Sequence, residues 1–172
     1  MSALDETPVG QDFRVPDVLG HIIGWRAWDV IGPDRQPLLR SKVWDYIWRP
    51  GRWNVARCEL KPQHDPKTQV PMEGCSCGFY AAISREHLLE KMAYHAYGDH
   101  STTVIGEVAF VGKVIPGSLG WRAQKARPLR LYVPYERWRL AEGLERVYGC
   151  EVVLSNTWRA DPVVPDAIPE EV

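Results

Sequence analysis

The stretch VIGEVAFVGKV, residues 104–114, decides the fold class of this chain. Its apolar side chains are mostly β-branched, and their alternation runs through two glycines, Gly106 and Gly112. A glycine inside a strand often marks a bend or a bulge. We therefore predict a bent strand or a hairpin here. Helical patterns lie before and after it, and this combination is typical of the α+β class.

Strand patterns continue on both sides of this central element. The turn signal of residues 32–34, Gly-Pro-Asp, ends a run of β-branched and aromatic residues. Farther on, Ala56, Cys58 and Leu60 alternate with polar residues, as in a half-buried strand. We predict strands at residues 22–30, 54–60 and 151–154, and either a strand or a helical turn at residues 38–44.

A first helix is predicted at residues 84–97. Ser84 can cap the free N–H groups of its first turn, and Gly98 suits the left-handed residue that ends a helix. Several apolar side chains recur at helical spacing and should face the core. They are Leu88, Leu89, Met92, Ala93 and Ala96.

A second helix should begin at Pro134, whose fixed φ suits the first helical position, and should end at Gly149. Trp138, Ala141, Leu144 and Tyr148 are expected to line its buried face. Gly143 lies in the interior of this helix, where glycine costs about 1 kcal/mol relative to alanine. We therefore expect close packing at Gly143.

The chain of 172 residues has the length of a single domain. We expect one globular α+β domain at residues 17–162, with a flexible arm at 1–16 and a flexible acidic, proline-bearing tail at 163–172. The predicted architecture is a mainly antiparallel, partly closed sheet with two main helices.

Composition limits the function classes. The formal net charge is −1, which argues mildly against a protein that binds duplex nucleic acid. No apolar run is long enough to span a membrane, and the first residues lack the pattern of a signal peptide. We expect a cytoplasmic protein, with its four cysteines reduced or bound to metal.

The cysteines and one histidine form the pattern C-x5-H-x10-C-x-C, with Cys58, His64, Cys75 and Cys77. If the strand that carries Cys58 pairs with the segment that carries Cys75 and Cys77, three sulfur atoms converge, since residues two apart in a strand share a face. Zinc needs four such ligands, and His64 can supply the fourth. The pattern predicts a structural zinc site.

Two alternatives for the cysteines stay open. Buried free thiols behave as small apolar side chains in a core. A catalytic cysteine needs a lowered pKa, and Cys77 precedes the start of the first helix, with His87 nearby. None of the usual nucleotide-binding or hydrolase motifs occurs in the sequence, so a binding protein is a better expectation than an enzyme.

Two short echoes, Gly-Trp-Arg-Ala at residues 24–27 and again at 120–123, indicate candidate binding residues. The chain contains eight tryptophans, and residues 121–139 carry six basic residues against one acid. Tryptophan and arginine are enriched at interface hot spots, and arginine can stack on an indole ring. The predicted binding residues are Trp25, Arg26, Trp121, Arg122 and Arg127.

Three segments in combination resemble a group of small uncharacterised proteins of actinobacteria and their phages. They are the opening at 24–28, the Cys-Ser-Cys-Gly-Phe-Tyr-Ala segment at 75–81, and the glycine-rich segment at 106–126. The resemblance covers roughly residues 20–155. It implies an actinobacterial or phage origin and makes a host component a plausible target, but no activity has been established for the group.

The leading hypothesis is a non-enzymatic binding protein that contacts a host protein partner. The first alternative is a nucleic-acid binder that uses the basic and aromatic strip at residues 121–139. The second alternative is an enzyme with a cysteine-based site.

Overall fold

The computed structural model describes residues 13–15, 20–60, 64–94 and 102–156. Within these ranges lie eight strands and two α-helices. The strands are β1 (Phe13–Val15), β2 (Ile22–Ile31), β3 (Leu38–Ser41), β4 (Asn54–Val55), β5 (Phe79–Ala82), β6 (Thr103–Gly117), β7 (Gly120–Val133) and β8 (Glu151–Leu154), and the helices are α1 (Arg85–Tyr94) and α2 (Trp138–Tyr148). The predicted tail, most of the arm, and Ala96 and Gly98 at the expected end of the first helix lie outside the described residues.

The hairpin of β6 and β7 is the central element of the sheet. Strand β6 also pairs with β2 along eight residues, from Ile22 opposite Phe110 to Asp29 opposite Thr103. Strand β5 pairs with both β2 and β7, so β2, β6, β7 and β5 form a closed circuit of hydrogen-bonded strands. All pairings are antiparallel except that of β7 with β8. The predicted α+β fold with a mainly antiparallel, partly closed sheet is confirmed.

The main core fills the space between this sheet and α2. Trp28, Trp48 and Phe110 are completely buried, and the two indole rings meet edge to face with centroids 5.4 Å apart. Helix α2 contributes Leu140 and Leu144, which are also fully buried. Because large aromatic side chains bury so much apolar area each, these few residues provide much of the hydrophobic stabilisation.

Helix α1 begins directly after Ser84, as predicted. The Ser84 hydroxyl accepts a hydrogen bond of 3.2 Å from the backbone N–H of His87, as an N-cap residue does. Leu88 and Met92 are buried and pack with Ile105 in a second, smaller core cluster, whereas Leu89 is only half-buried.

For helix α2, the predicted burial of Trp138 is wrong and the predicted close packing at Gly143 is confirmed. Trp138 was expected on the buried face but is 45% exposed, and Leu140 takes the buried position. The chain from Tyr135 to Arg137 winds as a 3-10 helix with three residues per turn, so the buried face of α2 is set only from Leu140 onward. Gly143 packs closely as predicted, since a Cβ there would overlap the carbonyl oxygen of Asp34.

The strand boundaries correct one prediction and decide between the two alternatives of another. Strand β4 covers only two residues and does not reach Cys58, because the chain after Val55 leaves the sheet and forms a loop. Residues 38–41 form a strand and not a helical turn, since they pair with residues 28–31 of β2. Strand β7 contains most of the predicted basic strip at residues 121–139, a segment for which no strand was predicted.

Candidate metal centre

Four side chains of the connection between β4 and β5 meet in one cluster. They are Cys58, His64, Cys75 and Cys77, and their ligand atoms all lie within 4.8 Å of one another. The Sγ atoms of Cys58 and Cys75 are 3.6 Å apart, and Cys77 Sγ lies 3.7 Å from His64 Nε2. Bond lengths of about 2.3 Å to sulfur and about 2.0 Å to nitrogen give tetrahedral edges of about 3.8 Å between two sulfur atoms and about 3.5 Å between sulfur and nitrogen. The cluster can therefore hold a metal ion.

The convergence of the cysteines was predicted correctly, but the reason for it was wrong. Strand β4 and strand β5 do not pair with each other. Both pair with β7: Asn54 lies opposite Ala126, and Phe79 lies opposite Ala123. The two short strands therefore follow one another along the same edge of β7, and the connection between them begins with Cys58 and ends with Cys75 and Cys77, which brings the three cysteines together.

His64 is held by a tight turn of its own loop. The Asp65 carboxylate accepts hydrogen bonds of 2.8 Å from the backbone N–H groups of Lys67 and Thr68, and these bonds lower the pKa of Asp65. His64 Nδ1 lies 3.1 Å from the Asp65 carbonyl oxygen. With the ring proton on Nδ1, this contact leaves the Nε2 lone pair directed at the sulfur atoms, which is how metal-binding histidines are commonly oriented.

Arg122 holds the backbone of the cysteine-bearing loop. Its guanidinium donates hydrogen bonds to the carbonyl oxygens of Met72 at 3.3 Å and Cys77 at 3.1 Å, and also to that of Cys75. The same group lies over the Tyr80 ring, 5.8 Å from its centroid. A planar guanidinium offers several donors in a fixed arrangement, so one side chain can fix three carbonyl groups. The predicted binding residue Arg122 thus contacts this domain's own loop.

The protonation states of the thiols differ within the cluster. A hydrogen bond with His64 lowers the pKa of Cys75 to about 6. Burial raises the pKa of Cys58 to about 11 and also raises that of Cys77. Without metal at neutral pH, Cys75 is therefore the thiolate of the cluster, and the other two are thiols. Metal binding has to displace their protons.

The two Gly-Trp-Arg-Ala segments lie on opposite sides of β5, and each pairs with it. Trp25 pairs with Ala82 from one side, and Trp121 pairs with Ala81 from the other. A Cβ at Gly24 would lie 2.6 Å from the Ala81 side chain, and one at Gly120 would overlap the Ala81 backbone. Each glycine therefore permits the close approach of β5.

The arginines of the two segments also make similar contacts, since each donates hydrogen bonds to backbone carbonyl oxygens in or next to β5. Arg26 donates to the Tyr80 carbonyl oxygen and to Ser41 Oγ at 3.0 Å, as Arg122 donates to the preceding loop. Arg26 lies over the Trp48 indole, 5.1 Å from its centroid. The expected stacking on an indole therefore holds for Arg26, whereas Arg122 lies over a tyrosine.

The remaining predicted binding residues lie in different surroundings. Trp25 stacks on Tyr132 at 5.4 Å, and Trp121 is half-buried against the main core. Arg127 is exposed, and its guanidinium lies over the Trp53 ring, 4.6 Å from the centroid. Of the five predicted residues, Arg127 is the one whose side chain points to solvent.

The basic strip at residues 121–139 is not a row of free cations. Arg122 is directed at the loop, and Arg130 pairs with Glu107 at 3.4 Å and with Glu151 at 2.7 Å. These contacts place two of the strip's arginines in interactions within the domain. The strip therefore gives less support to nucleic-acid binding than its sequence indicated.

Two exposed features were missed by the sequence interpretation. The first is the apolar loop after β3, where Val43, Trp44 and Ile47 are 67%, 54% and 46% exposed. The second is a pair of arginines, Arg49 and Arg52, on either side of the Pro-Gly turn at residues 50–51. The signal for both was present, as a Val-Trp pair in a polar stretch and as an Arg-Pro-Gly-Arg run.

Comparison with protein-family models, with curated proteins and with solved structures finds no match for this chain. Within the residues that the structure describes, neither helix is long and apolar enough to cross a membrane.

Proposed function

We propose that this chain is a non-enzymatic binding protein that contacts a protein partner through the loop after β3, and that a structural zinc ion bound by Cys58, His64, Cys75 and Cys77 stabilises the domain. The observation that carries the binding proposal is the exposure of Trp44 on a well-anchored loop.

The donor set supports zinc. Three thiolates and one imidazole are a common ligand set of structural zinc sites, and soft sulfur ligands disfavour magnesium and calcium. All four positions of a tetrahedron are filled by the protein. A catalytic zinc needs an open position for water or substrate, so this arrangement supports a structural role.

The position of the cluster supports the same role. Residues 56–78 connect β4 to β5 without a regular strand or helix among the described residues, and a loop of this length is entropically costly to order. A metal ion at Cys58, His64 and the Cys75–Cys77 segment would tie the start, the middle and the end of this connection together. Since unfolded chains rarely retain such a site, the binding free energy would contribute to folding.

The loop after β3 is suited to protein recognition. Its base is fixed by Trp48, which is completely buried and whose indole N–H donates to Ser41 Oγ at 2.9 Å. Tyr46 adds a hydrogen bond of 3.0 Å from its hydroxyl to Asn54. Trp44 is therefore displayed by a loop that is ordered before binding, which reduces the entropy lost on association. A displayed tryptophan is a common interface hot spot.

The resemblance to actinobacterial and phage proteins supports a host protein as the partner and the cytoplasm as the location. The same resemblance supports a phage or actinobacterial origin of the chain. The lowered pKa of Cys75 is also what a cysteine-based enzyme would need. We favour metal binding over such an enzyme, because Cys75 lies in a cluster with three further potential metal ligands.

The zinc proposal is tested by metal analysis of purified wild-type protein and of single cysteine variants. We expect about one zinc per chain. C58S, C75S and C77S should each lose the metal and melt at a lower temperature. C150S is the matched control, since Cys150 lies outside the cluster, and it should keep the zinc. Wild-type protein that carries no metal, and gains none when refolded with zinc, would contradict the proposal.

The binding proposal is tested by affinity capture from an actinobacterial lysate with wild-type, W44S and W138S proteins. Both tryptophans are about half exposed, so the two variants remove similar exposed side chains. We expect a partner captured by wild type and W138S to be lost with W44S. The captured protein should then bind purified wild type directly. A capture pattern that W44S leaves intact would rule out this surface.

A further inference from the structure

A cavity of about 340 Å³ lies on the side of the domain where the Pro-Gly turn, β7 and the end of α2 meet. Its volume is at the lower end of the range of small-molecule sites. It is lined by Arg49, Gly51, Arg52, Arg127, Pro128, Leu129, Tyr148, Gly149 and Cys150. None of these residues belongs to the metal cluster. Arg49, Gly51 and Arg52 follow Trp44 in the same connection, on the other side of the buried Trp48.

The charged residues that line this cavity are all basic. Three arginines line it and no acidic residue does, although the whole chain has 22 acids and 21 basic residues. Among the described residues, no carboxylate forms an ion pair with Arg49, Arg52 or Arg127. The C-terminal end of α2 offers only about half a negative charge. The cavity therefore keeps a net positive charge of about two to three.

Two of the arginines are held in place by a buried side chain. Asn54 is 1% exposed, and its Oδ1 accepts a hydrogen bond of 2.7 Å from the backbone N–H of Arg49. Its Nδ2 donates to the Arg49 carbonyl oxygen at 3.3 Å, with a weaker contact of 3.5 Å to that of Arg52. Gly51 has a φ of 66°, which a tight turn between the two arginines requires.

The third arginine is held from the neighbouring strand. Asn54 pairs with Ala126 of β7, so Arg127 follows directly beside the turn. The Trp53 ring lies 4.6 Å from its guanidinium carbon and restricts its position. Like charges brought together on two pre-ordered elements repel each other, and an anion would relieve that repulsion.

The rest of the cavity wall is uncharged. Pro128 and Leu129 supply apolar surface, and Tyr148 uses its hydroxyl within the core. Burial raises the pKa of Cys150 to about 11, with a smaller contribution from Glu145, so this thiol is neutral at neutral pH. The wall thus combines a cationic side with an apolar side.

We propose that this cavity binds a small phosphorylated molecule of about mononucleotide size, with its phosphate monoester held by Arg49, Arg52 and Arg127 and its ring against Pro128 and Leu129. Guanidinium groups match phosphate oxygens in paired hydrogen bonds, and a phosphate monoester carries close to two negative charges at pH 7. The cavity is too small for more than one such unit.

The test is a calorimetric or NMR titration of the full chain with adenosine 5′-monophosphate, inorganic phosphate and adenosine. We expect the two phosphate-bearing probes to compete for one site and adenosine to bind at least about tenfold more weakly, since it lacks the charge-assisted bonds. R49A, R52A and R127A should each weaken adenosine monophosphate binding by about tenfold. R139A removes an exposed arginine that stacks on Trp138 away from the cavity, and it should bind as wild type does.

All three cavity arginines are exposed, so the variants should stay folded, and their melting temperatures check this. Equal binding of adenosine and its monophosphate, the same loss in R139A, or no saturable binding of any probe would overturn the proposal. Tighter binding of a single-stranded oligonucleotide that lacks terminal phosphates, lost in R127A, would assign the site to a nucleic-acid strand and would also overturn it. These outcomes do not depend on the Trp44 loop, which the W44S variant tests separately.

Discussion

Arg122 Nη1 donates a hydrogen bond of 3.1 Å to the carbonyl oxygen of Cys77. This bond links a strand of the closed sheet to the loop that presents two of the four metal ligands. A zinc ion with three thiolates and one neutral imidazole carries a net charge of −1, so the adjacent guanidinium also supplies a compensating positive charge. We therefore predict that Arg122 positions the ligands of the proposed zinc site.

We expect R122A to weaken zinc binding by about 10- to 100-fold, the usual effect of losing a group that orients metal ligands. R122K should lie between R122A and wild type, because lysine keeps the charge but loses the planar array of donors. Competition with a chromophoric chelator measures the affinity. R139A is the control, and an R122A protein with wild-type affinity would refute the positioning role.

Zinc binding should release protons in a pH-dependent way. The pKa values of Cys58 and Cys77 are raised by burial, so at pH 7 each should release one proton on binding, whereas Cys75, with a pKa of about 6, is largely deprotonated already. The affinity should therefore fall as the pH falls, and more steeply where Cys75 and His64 also take up protons that zinc must displace, since the hydrogen bond between them lowers the pKa of Cys75 to about 6 and raises that of His64. Calorimetry in buffers of different ionisation enthalpy counts the protons, and a count of zero at pH 7 would contradict the assignment.

Gly143→Ala should destabilise the protein in spite of the helix-forming tendency of alanine. Alanine gains about 1 kcal/mol over glycine inside a helix. The added methyl group, however, would overlap the Asp34 carbonyl oxygen, which belongs to the backbone and cannot rotate away. Such overpacking costs about 1–3 kcal/mol, occasionally more, and the close overlap with a backbone atom places the cost at the upper end. After the gain of about 1 kcal/mol is subtracted, we expect a net loss of about 2 kcal/mol in urea unfolding. E142A, at an exposed position of the same helix, should change stability by less than about 0.5 kcal/mol.

Tyr148→Phe should cost about 1–3 kcal/mol of unfolding free energy. The Tyr148 hydroxyl accepts a hydrogen bond of 2.7 Å from the Leu39 backbone N–H and donates one of 2.9 Å to the Trp48 carbonyl oxygen. Leu39 and Trp48 are fully buried, so phenylalanine would leave a buried donor and acceptor without partners. Y135F is the control, because Tyr135 is 60% exposed. Equal stability of both variants would show that water replaces the lost hydroxyl.

Local chemistry was sufficient to predict much of the fold. Apolar alternation with two glycines indicated the long bent strand β6, and the capping preference of Ser84 and the left-handed preference of Gly149 located one end of each helix. These signals depend on residues close together in the chain. The four side chains of the cluster were also proposed as metal ligands from residue type and spacing, with buried free thiols and a catalytic cysteine as the alternatives.

Contacts between distant residues decided the rest. The sequence indicated that Cys58 meets Cys75 and Cys77, but only the tertiary structure shows that β7 is the strand that both flanking segments share. Whether an arginine of β7 faces a loop, a carboxylate or solvent depends on its neighbours in space, and so Arg122, Arg130 and Arg127 have three different roles. Pairing partners far apart in sequence leave no local pattern, because the free energy that selects them arises only when the whole sheet closes.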